Sequence, residues 1–146
     1  MSERTVFQSM SHRHVISVPP HASVSEAARA MTASNCGSVL IVDSAGNMLG
    51  ILTEHDLMTR VLAKALNPQT TQASTVMTPN PETVEPDVKV SDGVLLMIEH
   101  GFRNLPVVTR SGRVLGVFSV RDALPRELGT AVSLAEFHDQ VNDALG

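Results

Sequence analysis

Arg113-Val114-Leu115-Gly116-Val117-Phe118-Ser119-Val120-Arg121-Asp122 reads as a buried strand that ends at Ser119 and turns at once into a helix. The same pattern occurs earlier as Asn47-Met48-Leu49-Gly50-Ile51-Leu52-Thr53-Glu54-His55-Asp56. Gly116 − Gly50 and Asp122 − Asp56 both give 66. Laying Val15–Met58 over Pro81–Leu124 yields ten identities in forty-four positions, where chance would give roughly three. They include Val18/Val84, Pro20/Pro86, Met31/Met97, Gly46/Gly112 and Leu49/Leu115. The chain is one unit written twice.

Outward from that stretch, each copy carries the same order of elements. In the first, His14–Val18 is a brief strand stopped by Pro19-Pro20, which cannot continue a ladder. Ser23-Val24-Ser25-Glu26 is a capping box, followed by an apolar stripe of Val24, Ala27, Ala28 and Met31. Asn35 and Gly37 end that helix. Ser38–Val42 is a strand apolar on both faces, Asp43–Asn47 a turn, and Met48–Leu52 the returning strand. Thr53 opens a second helix through Leu57, Val61, Leu62, Ala65 and Leu66. The second copy follows suit. Thr83-Val84 is its short strand, Pro86-Asp87 opens a helix through Val90, Val94, Leu95 and Ile98, and Gly101 stops it. Leu105–Val108 and Val114–Phe118 are its hairpin, with Pro106 favouring a strand edge or start.

The expected organisation is an N-terminal segment (1–13), a first motif (14–66), a linker (67–76), a second motif (77–125) and a helical tail (126–146). Val6, Phe7 and Met10 suggest a short docking helix in the first segment. In the tail, Val132–Phe137 reads as a capping box at Ser133 with a staple of Val132 on Phe137. Leu134, Phe137, Val141 and Leu145 then share one helix face that docks on the module or meets a partner.

Composition narrows the function. With 42% hydrophobic and 18% charged residues the chain is globular. The absence of Trp and Tyr removes a stacking platform, and a net charge of −4 removes a phosphate footprint, so no nucleic-acid partner is expected. Cys36 is alone and reads as a small buried hydrophobe. No apolar run reaches a membrane span and no secretory h-region precedes the motifs, so no membrane contact and a cytoplasmic location are expected. The six His residues are scattered, with no acid or Cys cluster to complete a metal site. Nor can a nucleophile–base pair be assembled, so an enzyme is not expected.

What chemistry the repeat carries lies in Thr53-x-x-Asp56 and Ser119-x-x-Asp122. A strand that enters a helix aims unpaired amides at one point, which favours anions. A carboxylate one turn on can accept two hydrogen bonds from a vicinal diol such as a ribose. Ser/Thr-x-x-Asp is equally a capping box, and singly that explains it. Duplication shifts the balance, because both copies keep the acid while Glu54/Val120 and His55/Arg121 drift.

The whole duplicated unit resembles a tandem CBS-domain pair, the Bateman module, over about residues 10–125. The likeness rests on the strand–helix–strand–strand–helix order, on Gly101–Val108 and on Gly116-x-x-Ser119-x-x-Asp122. It implies an α/β (α+β) fold of two β-α-β-β-α motifs packed with pseudo-twofold symmetry, plus the C-terminal helix. It also implies two clefts between the two motifs that bind AMP, ADP or ATP, with S-adenosylmethionine and NAD as further candidates, and a homodimer with an unidentified regulated protein as a possible partner; no cofactor is required. Residue by residue, Asp56 and Asp122 would hold riboses, and Thr53 and Ser119 would reach phosphate or ribose oxygens. Ser17-Val18, Thr83-Val84, Ser38-Val39 and Asn104-Leu105 would supply backbone and apolar contacts to adenine. Arg103 and Arg121 would meet phosphate, since guanidinium suits it bidentately. Gly37 and His55 stand opposite them in the first copy, so the second site is expected to be better equipped. The rival reading is a structural, protein-interaction module without a small ligand, acting through dimerisation or the tail helix.

Overall fold

Thr53 and Ser119 each end a strand in extended backbone, and the hairpins behind them pair in one register. Ser38 faces Thr53 as Asn104 faces Ser119, and Ile41 faces Gly50 as Val107 faces Gly116. Both hairpins slip at the same place, between Ile41 and Val42 and between Val107 and Val108. The computed structural model describes residues 3–145. Met1, Ser2 and Gly146, the outermost residues of the expected N-terminal segment and tail, lie outside the described residues.

The fold is α+β. In chain order the elements are α1 (Val6–Ser9), β1 (Ser17–Val18), α2 (Val24–Ser34), β2 (Ser38–Val42), β3 (Met48–Thr53), α3 (Glu54–Asp56), α4 (Ala73–Val76), β4 (Thr78–Pro79), α5 (Val90–His100), β5 (Asn104–Val108), β6 (Val114–Ser119) and α6 (Pro125–Leu145). A π-helical turn, Leu57–Leu62, continues α3, and a 3-10 turn, Val120–Asp122, follows β6. They form two units: residues 14–82, and residues 1–13 together with 83–146.

In the unit of residues 14–82, β1 runs parallel to β2, and β2–β3–β4 is antiparallel. Ser23 caps α2 by accepting from Glu26 N, and Asn35 ends the helix in left-handed backbone. Val24, Ala27 and Met31 point inward onto Val39, Ile41 and Leu52, while Ala28 is only half-buried. Gly50 is required by packing: a Cβ there would lie 2.6 Å from both Met77 Sδ and the carbonyl oxygen of Thr78 on β4.

The other unit holds the hairpin β5–β6 and α5, with Phe118 fully buried among Val90, Val94, Met97 and Leu105. Each such side chain contributes about 1.5–3 kcal/mol by leaving water. The expected strand at Thr83-Val84 is reduced to one parallel bridge, Val84 to Val107. Leu40 N donates to Ile16 O in the first copy, and Pro106 stands at the matching position without an N–H. The ladder loses that bond and does not extend. The expected helix start at Pro86-Asp87 also fails. The carbonyls of Pro86 and Val88 accept from Phe7 N and Val6 N, so α5 begins only at Val90.

The expected docking helix is α1, capped by a box between Thr5 and Gln8. Val6 and Met10 enter the core of this unit, while Phe7 stays outside under the Arg13 guanidinium, 5.1 Å from its ring centroid. The same arrangement recurs for α4: Ala73 N and Ser74 N donate to Ala22 O and Pro20 O. Both segments therefore bond to the stretch just ahead of a longer helix, α1 to the one ahead of α5 and α4 to the one ahead of α2.

Two helical stripes differ from expectation. After Asp56 the backbone takes i→i+5 bonds, Ala63 N to Met58 O and Leu66 N to Val61 O. The wider turn changes phase, so Val61 is buried but Leu62 and Leu66 are exposed. In the tail, Val132–Phe137 is not a helix start but lies inside α6. The helix starts earlier because Pro125 suits a first turn and Glu127 Oε1 accepts from Leu124 N at 2.8 Å. Val132 and Phe137 are both exposed, so no staple forms.

Candidate functional site

The two hydroxyl-to-carboxylate turns are built alike. Thr53 N donates to Asp56 Oδ2 and Ser119 N to Asp122 Oδ2, each at 3.0 Å. The hydroxyls return the bond, Thr53 Oγ1 accepting from Asp56 N and Ser119 Oγ from Arg121 N. A backbone bond pins each turn to the preceding loop, Glu54 N to Gly37 O and Val120 N to Arg103 O. Capping is thus present in both copies, and each carboxylate has one oxygen committed to it.

Their second oxygens differ. Asp56 is buried at 5% exposure, and its Oδ1 faces Arg60 Nε at 3.6 Å. Arg60 also donates to the carbonyls of Val76 and Met77, so its guanidinium is held in place. Thr53 Oγ1 donates to Asp56 Oδ2 as well, at 3.1 Å. This carboxylate is consumed by structure. Asp122 is less buried, and its Oδ1 accepts from Ser11 Oγ at 2.7 Å and Ser11 N at 3.3 Å. It is already receiving a neutral hydroxyl.

Next to Asp122 lies an ionic clamp. Arg4 Nη2 donates to the Asp122 carbonyl at 3.1 Å and to Glu127 Oε1 at 2.7 Å, while its Nε reaches Glu127 Oε2 at 3.2 Å. The guanidinium holds the Glu127 carboxyl below its usual range, and Glu127 in turn raises Arg4. Sequence reasoning missed Ser11, Arg4, Glu127 and Arg60. Signals existed for two of them: Pro125-Arg126-Glu127 has helix-start spacing, and Asp56 and Arg60 are four apart on one helix face.

The remaining expected residues fall into two groups by unit. Ser17, Val18, Ser38 and Val39 lie on β1 and β2 of the same sheet as Thr53. Arg103, Asn104 and Leu105 lie beside the Ser119 turn or β6, while Thr83 precedes Val84, which bridges Val107 on β5. Val18, Val39, Val84 and Leu105 are core residues, which leaves their backbone rather than their side chains for contact with a ligand. Arg103 and Arg121 are exposed, and neither makes an ion pair among the described residues. Among the described residues no three His, Cys, Asp or Glu side chains are grouped to hold a metal ion. Nor is any helix there long and apolar enough to cross a membrane.

The family model of the CBS domain matches residues 7–63 and again 73–128. The chain belongs to the CBS-domain family. Its CBS repeats are 35% identical to an uncharacterized protein of Methanopyrus kandleri over 118 residues, covering 81% of this chain and 60% of that protein. A solved CBS-domain-containing protein of Agrobacterium tumefaciens is 30% identical with a TM-score of 0.74, covering 81% of this chain and 89% of that one. A CBS domain protein of Pyrobaculum aerophilum, solved in complex with AMP, superimposes with a TM-score of 0.77 at 22% identity, covering 90% of this chain and all 100% of that one. The chain spans about 60% of the length of the archaeal relatives it matches.

Proposed function

We propose that this CBS protein is a regulatory module, not an enzyme, that binds AMP, ADP or ATP through the Ser119–Asp122 turn. One observation carries the reading: Asp122 Oδ1 accepts a hydroxyl at 2.7 Å while Oδ2 is held by Ser119 N. A ribose hydroxyl asks for the same acceptor. The AMP complex of the Pyrobaculum aerophilum protein supports an adenosine ligand for this fold. Asp122 is assigned to the ribose, Ser119 to ribose or phosphate oxygens, and the exposed Arg103 and Arg121 to phosphate. Backbone of Thr83-Val84 and Asn104-Leu105 is assigned to adenine. The corresponding first-copy set is Ser17, Val18, Ser38, Val39, Thr53 and Asp56. It is the weaker site, because Arg60 already faces Asp56.

Calorimetric titration of AMP and ATP tests this. Asp122→Ala weakens binding roughly tenfold to a hundredfold, the equivalent of one charge-assisted bond. Equal affinity in wild type and variant removes the ribose assignment. A second reading, an interaction module that self-associates or binds a partner through α6, is favoured by exposed Phe137, Val141 and Leu145. It expects no melting shift with AMP, ADP, ATP, S-adenosylmethionine or NAD. A ligand at a hundred times its Kd adds about 2.7 kcal/mol instead.

A further inference from the structure

The two carboxylates are engaged by donors of different kinds, and the difference bears on how each could be reached. At Asp56 the second oxygen faces a charged guanidinium that two further carbonyls hold in place. Replacing that donor with a sugar hydroxyl would part a buried carboxylate from its charged partner. At Asp122 the second oxygen takes both the hydroxyl and the amide of Ser11. An exchange of Ser11 Oγ for a ribose hydroxyl swaps like for like, and the serine, being exposed, can turn to water.

Ser11 does not reach Asp122 by chance encounter. The segment ahead of it is fastened to the same unit at several points: Val6 N to Val88 O, Phe7 N to Pro86 O, and Val90 N to Arg4 O. Val6 and Met10 are buried in that unit's core. Arg4 clamps Glu127 and donates to the backbone carbonyl of Asp122 itself. Ser11 therefore competes as a tethered group, at an effective concentration that a free hydroxyl donor must exceed.

We infer that Ser11 is an internal competitor for the Asp122 carboxylate, a latch on the N-terminal segment that lowers the affinity of this turn for a ribose diol. The inference rests on the ribose assignment of Asp122 made above. Binding opens the Ser11 contact while Val6 and Arg4 keep α1 in place, so the movement is confined to about the last turn of the segment. The second oxygen of Asp56, facing Arg60, has no such exchangeable donor.

The test is AMP titration by calorimetry into wild type, Ser11→Ala, Ser11→Thr and Asp122→Asn, with hydrogen exchange at the Ser11 amide followed alongside. Ser11→Ala binds about three- to tenfold more tightly, Ser11→Thr binds as wild type does because it keeps the hydroxyl, and Asp122→Asn binds more weakly. Saturating AMP speeds exchange at the Ser11 amide. Equal or weaker binding by Ser11→Ala, with wild type titrating normally, overturns the latch and leaves the ribose assignment standing. Binding by Ser11→Ala alone, with wild type silent, supports a latch that closes fully. Silence in both overturns the latch and the ribose assignment together.

Discussion

Glu127 shows how one side chain can join three parts of the chain. Its carboxylate caps α6 at Leu124 N and receives both arms of Arg4 from the N-terminal segment. Because the folded pKa is depressed, its stabilising effect is complete above the ordinary glutamate value of about 4.3. It is lost as pH falls below that value and through the lower folded one. Glu127→Gln should therefore cost about 1–2 kcal/mol at pH 7 and flatten the acid limb of a plot of urea midpoint against pH. A variant with the wild-type midpoint at pH 7 would show that the clamp adds nothing. Gly50 gives a second prediction at this scale. Gly50→Ala drives a Cβ into Thr78 O, which as backbone cannot step aside, and should cost about 3 kcal/mol in chemical denaturation. Both acids of the Ser/Thr-x-x-Asp turns were legible from sequence because the repeat kept them. Their difference was not, because Ser11 lies 111 residues from Asp122 and no local spacing connects them.

At the scale of elements, α6 is two helices in effect. Its first part buries Glu127 and Ala131, whereas residues 136–145 are exposed on every side. That distal stretch is tied to α5 by the exposed pair His138–Glu99 at 2.9 Å, an interaction of little worth in water. Removing residues 136–146 should shift the melting midpoint by less than about 3 °C in differential scanning calorimetry. A larger fall would mean that the distal turns support the fold. Hairpins were read almost to the residue, since β-branched runs and Asp/Gly turns act locally. Helix starts were read less well at α5 and α6. At α5 the carbonyls that would begin the helix are taken by α1, and at α6 an earlier proline and glutamate start the helix before Ser133 can.

For the molecule as a whole, the N-terminal segment belongs with the second repeat and not with the strand it precedes in sequence. Val6 is fully buried there, so Val6→Ala should cost about 2 kcal/mol. In hydrogen exchange the loss of protection should fall on α5, β5 and β6, while β1–β3 keep theirs. Loss spread evenly over both repeats would contradict the assignment of residues 1–13 to the second unit.

The sequence alone determined the duplication, the α+β class, the CBS family and the two carboxylate turns. The duplication, the order of elements and the turns follow from hydrophobic period, turn chemistry and a fixed offset, whereas the family follows from the resemblance of the whole repeated unit. Tertiary structure alone decided what reaches Asp122 and what fixes the partner of Asp56. Arg60 faces Asp56 from four residues on, and its guanidinium is fixed there by the carbonyls of Val76 and Met77. Ser11 reaches Asp122 because Val6 and Arg4 fasten the N-terminal segment to the far repeat. The Ser11 contact and the bonds that anchor Arg60 join residues distant in the chain, and such partners are chosen by packing, which no periodicity encodes.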